Sequence, residues 1–173
     1  MTRLFPGILA MAAVVVASHI LVQFLLGNWL TWGAFTYPIA FLVTDVMNRV
    51  YGAGPARRVV LVGFVVGIIC SLIGTQITIQ IAPDFAAPAV TLRVALGSAT
   101  AFLVAQLVDI AVFNRLRQGT WWRAPLASTL IGSTLDTAIF FFIAFSAAAS
   151  GVLGVDHNTE FFNEIVATPF GTD

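Results

Sequence analysis

Three carboxylates in this chain lie where carboxylates are rare. Asp45, Asp109 and Asp136 fall inside long apolar runs, not in the short arginine-bearing turns between them. An ionisable side chain within a membrane span costs a few kcal/mol, on the order of 3, and by default marks a functional site. Gln106 precedes Asp109 by three residues, so one helical face carries an amide beside an acid. Asn48 follows Asp45, and Thr44 and Asn48 share a face, as do Asp45 and Arg49. Ser128, Gly132 and Asp136 recur every four residues, a small and polar stripe that ends in an acid and faces protein or water, not lipid. A carboxylate accepts from two neighbouring N–H donors at once, and amides supply whatever donor or acceptor is still needed. The set Asp45, Asn48, Gln106, Asp109 and Asp136 therefore suits a small polar ligand. The competing reading makes these acids packing groups tied up by helix partners, with Asp45 and Arg49 neutralising each other.

The elements that must position these residues are membrane spans. Only 9% of the 173 residues are charged and 59% are hydrophobic, with a mean hydropathy of +0.96. Soluble domains carry roughly 25% charged residues. The reading is an all-α, polytopic membrane helix bundle with five spans, at about 4–26, 32–50, 59–81, 93–113 and 124–148. Residues 1–149 form one transmembrane domain, and 150–173 are read as a polar periplasmic tail or an incomplete approach to a sixth span. Pro38, early in the second span, removes a backbone donor and predicts a kink or a broken start. In the third span Gly63 and Gly67 form a GxxxG extended by Ser71 and Thr75, a close-packing surface that serves packing within the chain or a homodimer. His19 and Gln23, four apart in the first span, are expected to make a helix–helix hydrogen bond. Gln76 and Gln80, also four apart, are expected to pair across helices.

Charge sets the expected orientation. All eight basic residues are arginine. Threading the spans alternately puts Arg3, Arg49, Arg57, Arg58, Arg115, Arg117 and Arg123 on one side and Arg93 alone on the other. The positive-inside rule then places the N-terminus in the cytoplasm. The lone Cys70 lies in an apolar run and is read as a buried thiol. No cysteine–histidine cluster suggests a metal, no glycine-rich loop a nucleotide cofactor, and no basic patch a nucleic acid. The GxGD signature of an intramembrane aspartyl protease is missing, because Asp109 follows Gln106-Leu107-Val108 and Asp136 follows Ser133-Thr134-Leu135. A transport or binding role is expected in place of an enzymatic one. Ala40-Phe41-Leu42-Val43 recurs as Ala101-Phe102-Leu103-Val104, each followed by an acid and an arginine turn, a faint parallel echo of the kind transporters carry.

Five segments in series carry a family resemblance: FTYPIAFLVTDVMNRVYG from Phe35, GPARRVVLVGF from Gly54, AFLVAQLVDIAVFNRLR from Ala101, TWWRAP from Thr120 and STLIGSTLDTAIFFFIAF from Ser128. Together they resemble the queuosine-precursor transporter family of bacteria, within the vitamin-uptake-transporter group. The resemblance implies six helices, a multi-pass place in the bacterial inner membrane, and import of 7-deazaguanine precursors (nitrile and aminomethyl forms) used in tRNA modification. The sixth helix, often lysine-bearing, has no counterpart among the five spans, and many relatives have an acid where Arg49 stands. A guanine-like base presents a ring N–H beside an exocyclic amine, which a carboxylate can hold together, and a second carboxylate would balance the aminomethyl cation. Asp136 and Asp109 are the first candidates for this task, then Asp45 and Gln106, with Asn48 completing the set. Phe41, Phe102, Phe140 or Trp122 would stack on the flat ring, and Asn114 is expected to bond at a helix end. The alternative function is that of a substrate-binding membrane subunit of an ATP-driven vitamin uptake system.

Overall fold

Long apolar runs without a β-branched alternation fold here as helices, and among the described residues five of them make the bundle: α1 (Phe5–Leu21), α2 (Gly33–Tyr51), α3 (Ala53–Gln76), α4 (Leu92–Leu116) and α5 (Arg123–Phe145). The structure, a computed structural model, describes residues 2–26, 30–82 and 85–146. The tail expected at 150–173 lies outside the described residues. By length and composition α3, α4 and α5 are long and apolar enough to cross a membrane, and α1 is a shorter apolar helix. Leu61, Val65, Ile69, Leu72 and Ile73 leave α3 exposed along one side. A water-soluble bundle would not tolerate such a surface, whereas lipid would.

Side-chain contacts give the directions of the helices. On α1 and α2, Ser18 Oγ meets Thr36 Oγ1 at 2.7 Å, and the Met47 thioether fills the space left by Gly7. These helices are therefore antiparallel. α1 and α3 are parallel, and the small stripe of α3 lies on α1 step by step. A Cβ on Gly63 would come 2.6 Å from Met11 Cγ, and one on Gly67 would come 3.5 Å from Val15 Cγ1. One turn on, His19 Nε2 meets Ser71 Oγ at 3.1 Å, while Nδ1 meets the Val15 carbonyl at 2.9 Å. The stripe is thus used inside the chain, and His19 makes the helix–helix bond expected of it. α2 and α4 run parallel, with the echoed segments side by side. α4 and α5 form an antiparallel hairpin packed along its length, with the Cβ of Ala144 3.5 Å from where a Cβ on Gly97 would lie.

The alternation gathers Arg3, Arg49, Arg57, Arg58, Arg115, Arg117 and Arg123 at one end of the bundle, all exposed. At that end α2 passes into α3 through one residue, Gly52, whose φ of 87° suits only glycine without strain. The opposite end carries two short antiparallel hairpins, β1 (Leu25–Leu26) with β2 (Leu30–Thr31) and β3 (Thr78–Ala82) with β4 (Phe85–Pro88).

Three helix ends differ from the spans read in the sequence, two of them at these hairpins. The first helix stops at Leu21, not at Leu26. The third starts at Ala53, six residues before the expected Val59, and stops at Gln76 instead of Ile81. Beyond Gln76 the residues Ile77, Ile79 and Ile81 alternate with Thr78 and Gln80, a period of two that belongs to a strand. Gln80 is consequently in β3 and does not share a helix with Gln76, whose Nε2 instead donates to its neighbour Thr75 at 3.2 Å. Pro38 sits inside α2 without interrupting it.

Arg93, the basic residue at the far end, is fully buried. Its Nε donates to the Ile143 carbonyl at 2.7 Å and its Nη2 to the carbonyl of Ser146. Ile143 lies in the last turn of α5 and Ser146 is its C-cap, where carbonyls lack partners in their own helix and the dipole favours a cation. The guanidinium of α4 thereby caps α5. Arg93→Leu should lower the unfolding free energy by about 3 kcal/mol, the scale of losing charge-assisted hydrogen bonds and stranding their acceptors. Arg93→Lys, with no planar fork to reach both carbonyls, should recover less than half of that loss in thermal unfolding of the detergent-solubilised protein.

Candidate functional site

α2, α4 and α5 meet on their polar faces, and four of the five candidate residues come from α2 and α4, the two helices that run parallel. On α2, Thr44, Asp45 and Asn48 are buried. On α4, Gln106 and Asp109 are buried, and on α5 so is Ser128. α2 and α4 are tied twice with the same offset. Thr44 Oγ1 lies 2.6 Å from Gln106 Oε1, and Asn48 Nδ2 donates to the Ile110 carbonyl at 3.1 Å.

α2 and α5 are antiparallel, and every four residues along α2 meet a position four residues back along α5. Asp45 accepts from Ser128 Oγ at 3.1 Å through Oδ1 and from Thr129 Oγ1 at 3.2 Å through Oδ2. One turn away, Phe41 lies on Gly132. A Cβ there would be 2.7 Å from Phe41 Cε1, 3.3 Å from Asp109 Cβ and 3.4 Å from the Ala105 carbonyl oxygen. One turn further, Tyr37 donates to Asp136 Oδ1 at 3.0 Å. The stripe Ser128-Gly132-Asp136 does face protein, as its composition requires, and Gly132 is the point where three helices touch.

Asp45 and Asp109 adjoin each other, and Asp109 also adjoins Ser128. Even so, neither oxygen of Asp109 has a hydrogen-bond partner among the described residues, and its exposure is 0%. Gln106 Nε2 and Asn48 Oδ1 are also buried and unpaired. Most buried polar groups in folded proteins are hydrogen-bonded, and an exception needs a reason. Here four such atoms come from residues packed at one place: three acceptors and an amide that can donate twice.

Asp136 is not part of that group. Two turns of α5 separate it from Ser128, about 12 Å along the axis, and it is half-buried on Tyr37. The competing pairing of Asp45 with Arg49 is not formed as a contact ion pair, and Arg49 acts on Asp45 only through space. Arg49 Nη2 donates to the Trp121 carbonyl at 2.6 Å, and its guanidinium lies 5.4 Å from the Phe113 ring centroid. Of the aromatic candidates only Phe41 borders the carboxylates. Phe102 faces Gly63 on α3, Phe140 packs with Phe141 and Phe145, and Trp122 stacks with Arg123 at 5.6 Å. Asn114 accepts from Arg117 at the end of α4, as expected of it. Thr44, Thr129 and Tyr37 were not among the candidates. Their signal was present in the spacing, since Tyr37 precedes Asp45 by eight residues just as Ser128 precedes Asp136.

Two clefts lie elsewhere. One of about 290 Å³ between α3 and α4 is lined by Phe64, Ile68, Leu72, Leu96 and Leu103 among others and is almost wholly apolar. The other follows Ser133, Thr134 and Thr137 on α5, whose hydroxyls bond carbonyls of their own helix. Neither matches the unpaired polar set.

Residues 31–172 match the family described as "Putative vitamin uptake transporter". The chain belongs to the vitamin uptake transporter family. All five candidate residues lie in the matched region. Among curated relatives, the chain is 41% identical to the queuosine precursor transporter of Escherichia coli (strain K12) over 141 residues, which are 76% of this chain and 64% of that protein. It is 39% identical over 125 residues to the probable queuosine precursor transporter of Haemophilus influenzae, covering 69% of this chain and 53% of that one. For the probable queuosine precursor transporter of Bacillus subtilis the identity is 31% over 134 residues, with 70% and 58% covered. The chain thus spans less than two thirds of the length of each of these relatives. No solved structure matches it.

In this member of the vitamin uptake transporter family, residue 132 has no room for a side chain. Gly132→Ala should destabilise the bundle by about 1–3 kcal/mol, the usual cost of overpacking. Phe41→Leu should recover part of that loss in the double variant, as followed by thermal unfolding. Tyr37→Phe and Asp136→Asn should each remove the same hydrogen bond, so their combination should cost no more than either alone.

Proposed function

We propose that this protein imports 7-deazaguanine precursors of queuosine, in nitrile and aminomethyl forms, across the bacterial inner membrane. The cargo is purine-like and bound between α2 and α4 by Asp109, Gln106 and Asn48. One observation carries this reading: Asp109 is buried at 0% exposure with both oxygens unpartnered, and the amides of Gln106 and Asn48, on two helices, each keep one buried polar atom unpaired. The adjacent ring N–H and exocyclic amine of a guanine-like base would occupy both oxygens of Asp109. Gln106 Nε2 would donate to the ring carbonyl, and Asn48 Oδ1 would accept from the remaining amine hydrogen. Phe41 supplies an apolar wall for the flat ring. Asp136 with Tyr37 forms a second polar position two turns along α5. The names of the three curated relatives support the cargo class.

Seven exposed arginines at one end of the bundle support an orientation with that end, and the N-terminus, in the cytoplasm. The hairpin end then faces the periplasm.

Asp109→Asn is the decisive variant. An amide offers one acceptor and one donor where the base requires two acceptors, so a charge-assisted pair is lost and a donor is set against a donor. Uptake of the aminomethyl precursor by cells unable to make it should fall about 100-fold, with normal amounts of protein in the membrane. Unimpaired uptake in Asp109→Asn would refute the site. Uptake into vesicles containing only the purified chain separates a transporter from a binding subunit that needs an ATP-driven partner.

A further inference from the structure

The two adjoining carboxylates differ in what they already hold. Both oxygens of Asp45 accept hydroxyl protons from α5, Oδ1 from Ser128 and Oδ2 from Thr129. Asp109 accepts none. Packing between helices differs in the same sense. α4 and α5 lie against each other along their whole length, whereas α2 touches α5 at few points. Those points include Tyr37 on Asp136, Phe41 on Gly132, and the two hydrogen bonds that Asp45 accepts from Ser128 and Thr129. Yet α2 supplies Asn48, and Thr44 sits against the carbonyl end of Gln106. The unpaired atoms keep their spacing only while α2 is held over the α4–α5 hairpin. The one arginine nearby, Arg49, is turned to the Trp121 carbonyl and the Phe113 ring.

We infer that Asp45 is a positioning residue: it fastens α2 to α5 through Ser128 and Thr129, and so holds Asp109, Gln106 and Asn48 around the cargo without touching the cargo itself. This rests on the assignment of Asp109 as the cargo-binding carboxylate. Two acids on neighbouring helices then have separate tasks. One spends its acceptors on protein hydroxyls and the other keeps them for the ligand. A carboxylate needed only as a double acceptor for hydroxyls can be replaced by an amide. The oxygen of an asparagine at position 45 accepts from Ser128, and its nitrogen donates to Thr129, whose own proton can turn to the carbonyl one turn back. A carboxylate that must take two N–H donors from a ligand has no such substitute.

The test is equilibrium binding of 7-aminomethyl-7-deazaguanine to the purified full chain in detergent, with thermal unfolding recorded for each variant. Asp45→Asn should bind within roughly threefold of the unaltered protein, whereas Asp45→Ala should weaken binding about tenfold. The double variant Ser128→Ala/Thr129→Ala should lose about as much as Asp45→Ala, and adding Asp45→Ala to it should cost nothing further, because all three changes break one linkage. Asp109→Asn should lose about 100-fold, and its effect should multiply with that of Asp45→Ala. The inference is overturned if Asp45→Asn binds as poorly as Asp109→Asn, or if the Asp45→Ala and Ser128→Ala/Thr129→Ala losses multiply. If Asp45→Ala does not fold, Asp45→Asn and the hydroxyl double variant still decide the matter. Normal binding by Asp109→Asn would overturn the assignment of the site, and the role given to Asp45 falls with it.

Discussion

A carboxylate taken out of water has to be solvated again by the protein around it, and most of the inner architecture of this bundle follows from how Asp45 meets that requirement. Hydroxyls at Ser128 and Thr129 stand in for water, and both belong to α5. To bring them within 3.2 Å, α5 must approach α2 closely. That approach is possible because the next position along the seam is Gly132, whose missing side chain makes room for the Phe41 ring. Burial of a charge and removal of a Cβ are therefore parts of one arrangement. Asp109 is buried beside the same seam with no such help, which leaves it the most costly side chain in the site to keep without a ligand.

The seam has a simple rhythm. Helical neighbours on one face come three or four residues apart, and between α2 and α5 the interval is four on both sides. A tyrosine on an aspartate, a phenylalanine on a glycine and an aspartate on a serine follow one another along the bundle. The same interval governs α1 on α3, where Met11, Val15 and His19 lie on Gly63, Gly67 and Ser71. Helices packed in this way have no sideways freedom, because each large side chain is set into a gap of fixed position. The polar contacts then choose which of several one-turn alignments is adopted.

Much of this was legible in the sequence. Apolar runs mark all five helices, the arginines predict their common end, and buried acids announce themselves by their surroundings. Periodicity also shows which side of a helix an acid shares, as with Gln106 beside Asp109. It does not show who faces that side from another helix. Asp45 and Arg49 share a face, yet each has better partners elsewhere. The long arginine side chain reaches out to a turn carbonyl near the exposed end, while the short aspartate stays inside and takes hydroxyls. Asp136 shares a stripe with Ser128 but lies at another depth, so membership of one stripe did not make it part of one site. The hairpin after Gln76 has a period of two. Alternating Ile77, Ile79 and Ile81 extend the apolar run all the same, because hydropathy sums cannot tell a period of two from a filled helix.

Synthesis from the N-terminus gives one of these contacts a further meaning. The Ser128 and Thr129 hydroxyls that hold Asp45 are 83 and 84 residues further along the chain, and the carbonyls capped by Arg93 are made 50 and 53 residues after it. While the ribosome is still producing α4, the acid of α2 and the guanidinium at the head of α4 both lack the groups that will later receive them. The nascent bundle thus stays electrically unfinished until its last described helix arrives, and α5 completes the contacts that settle the earlier ones in the bilayer.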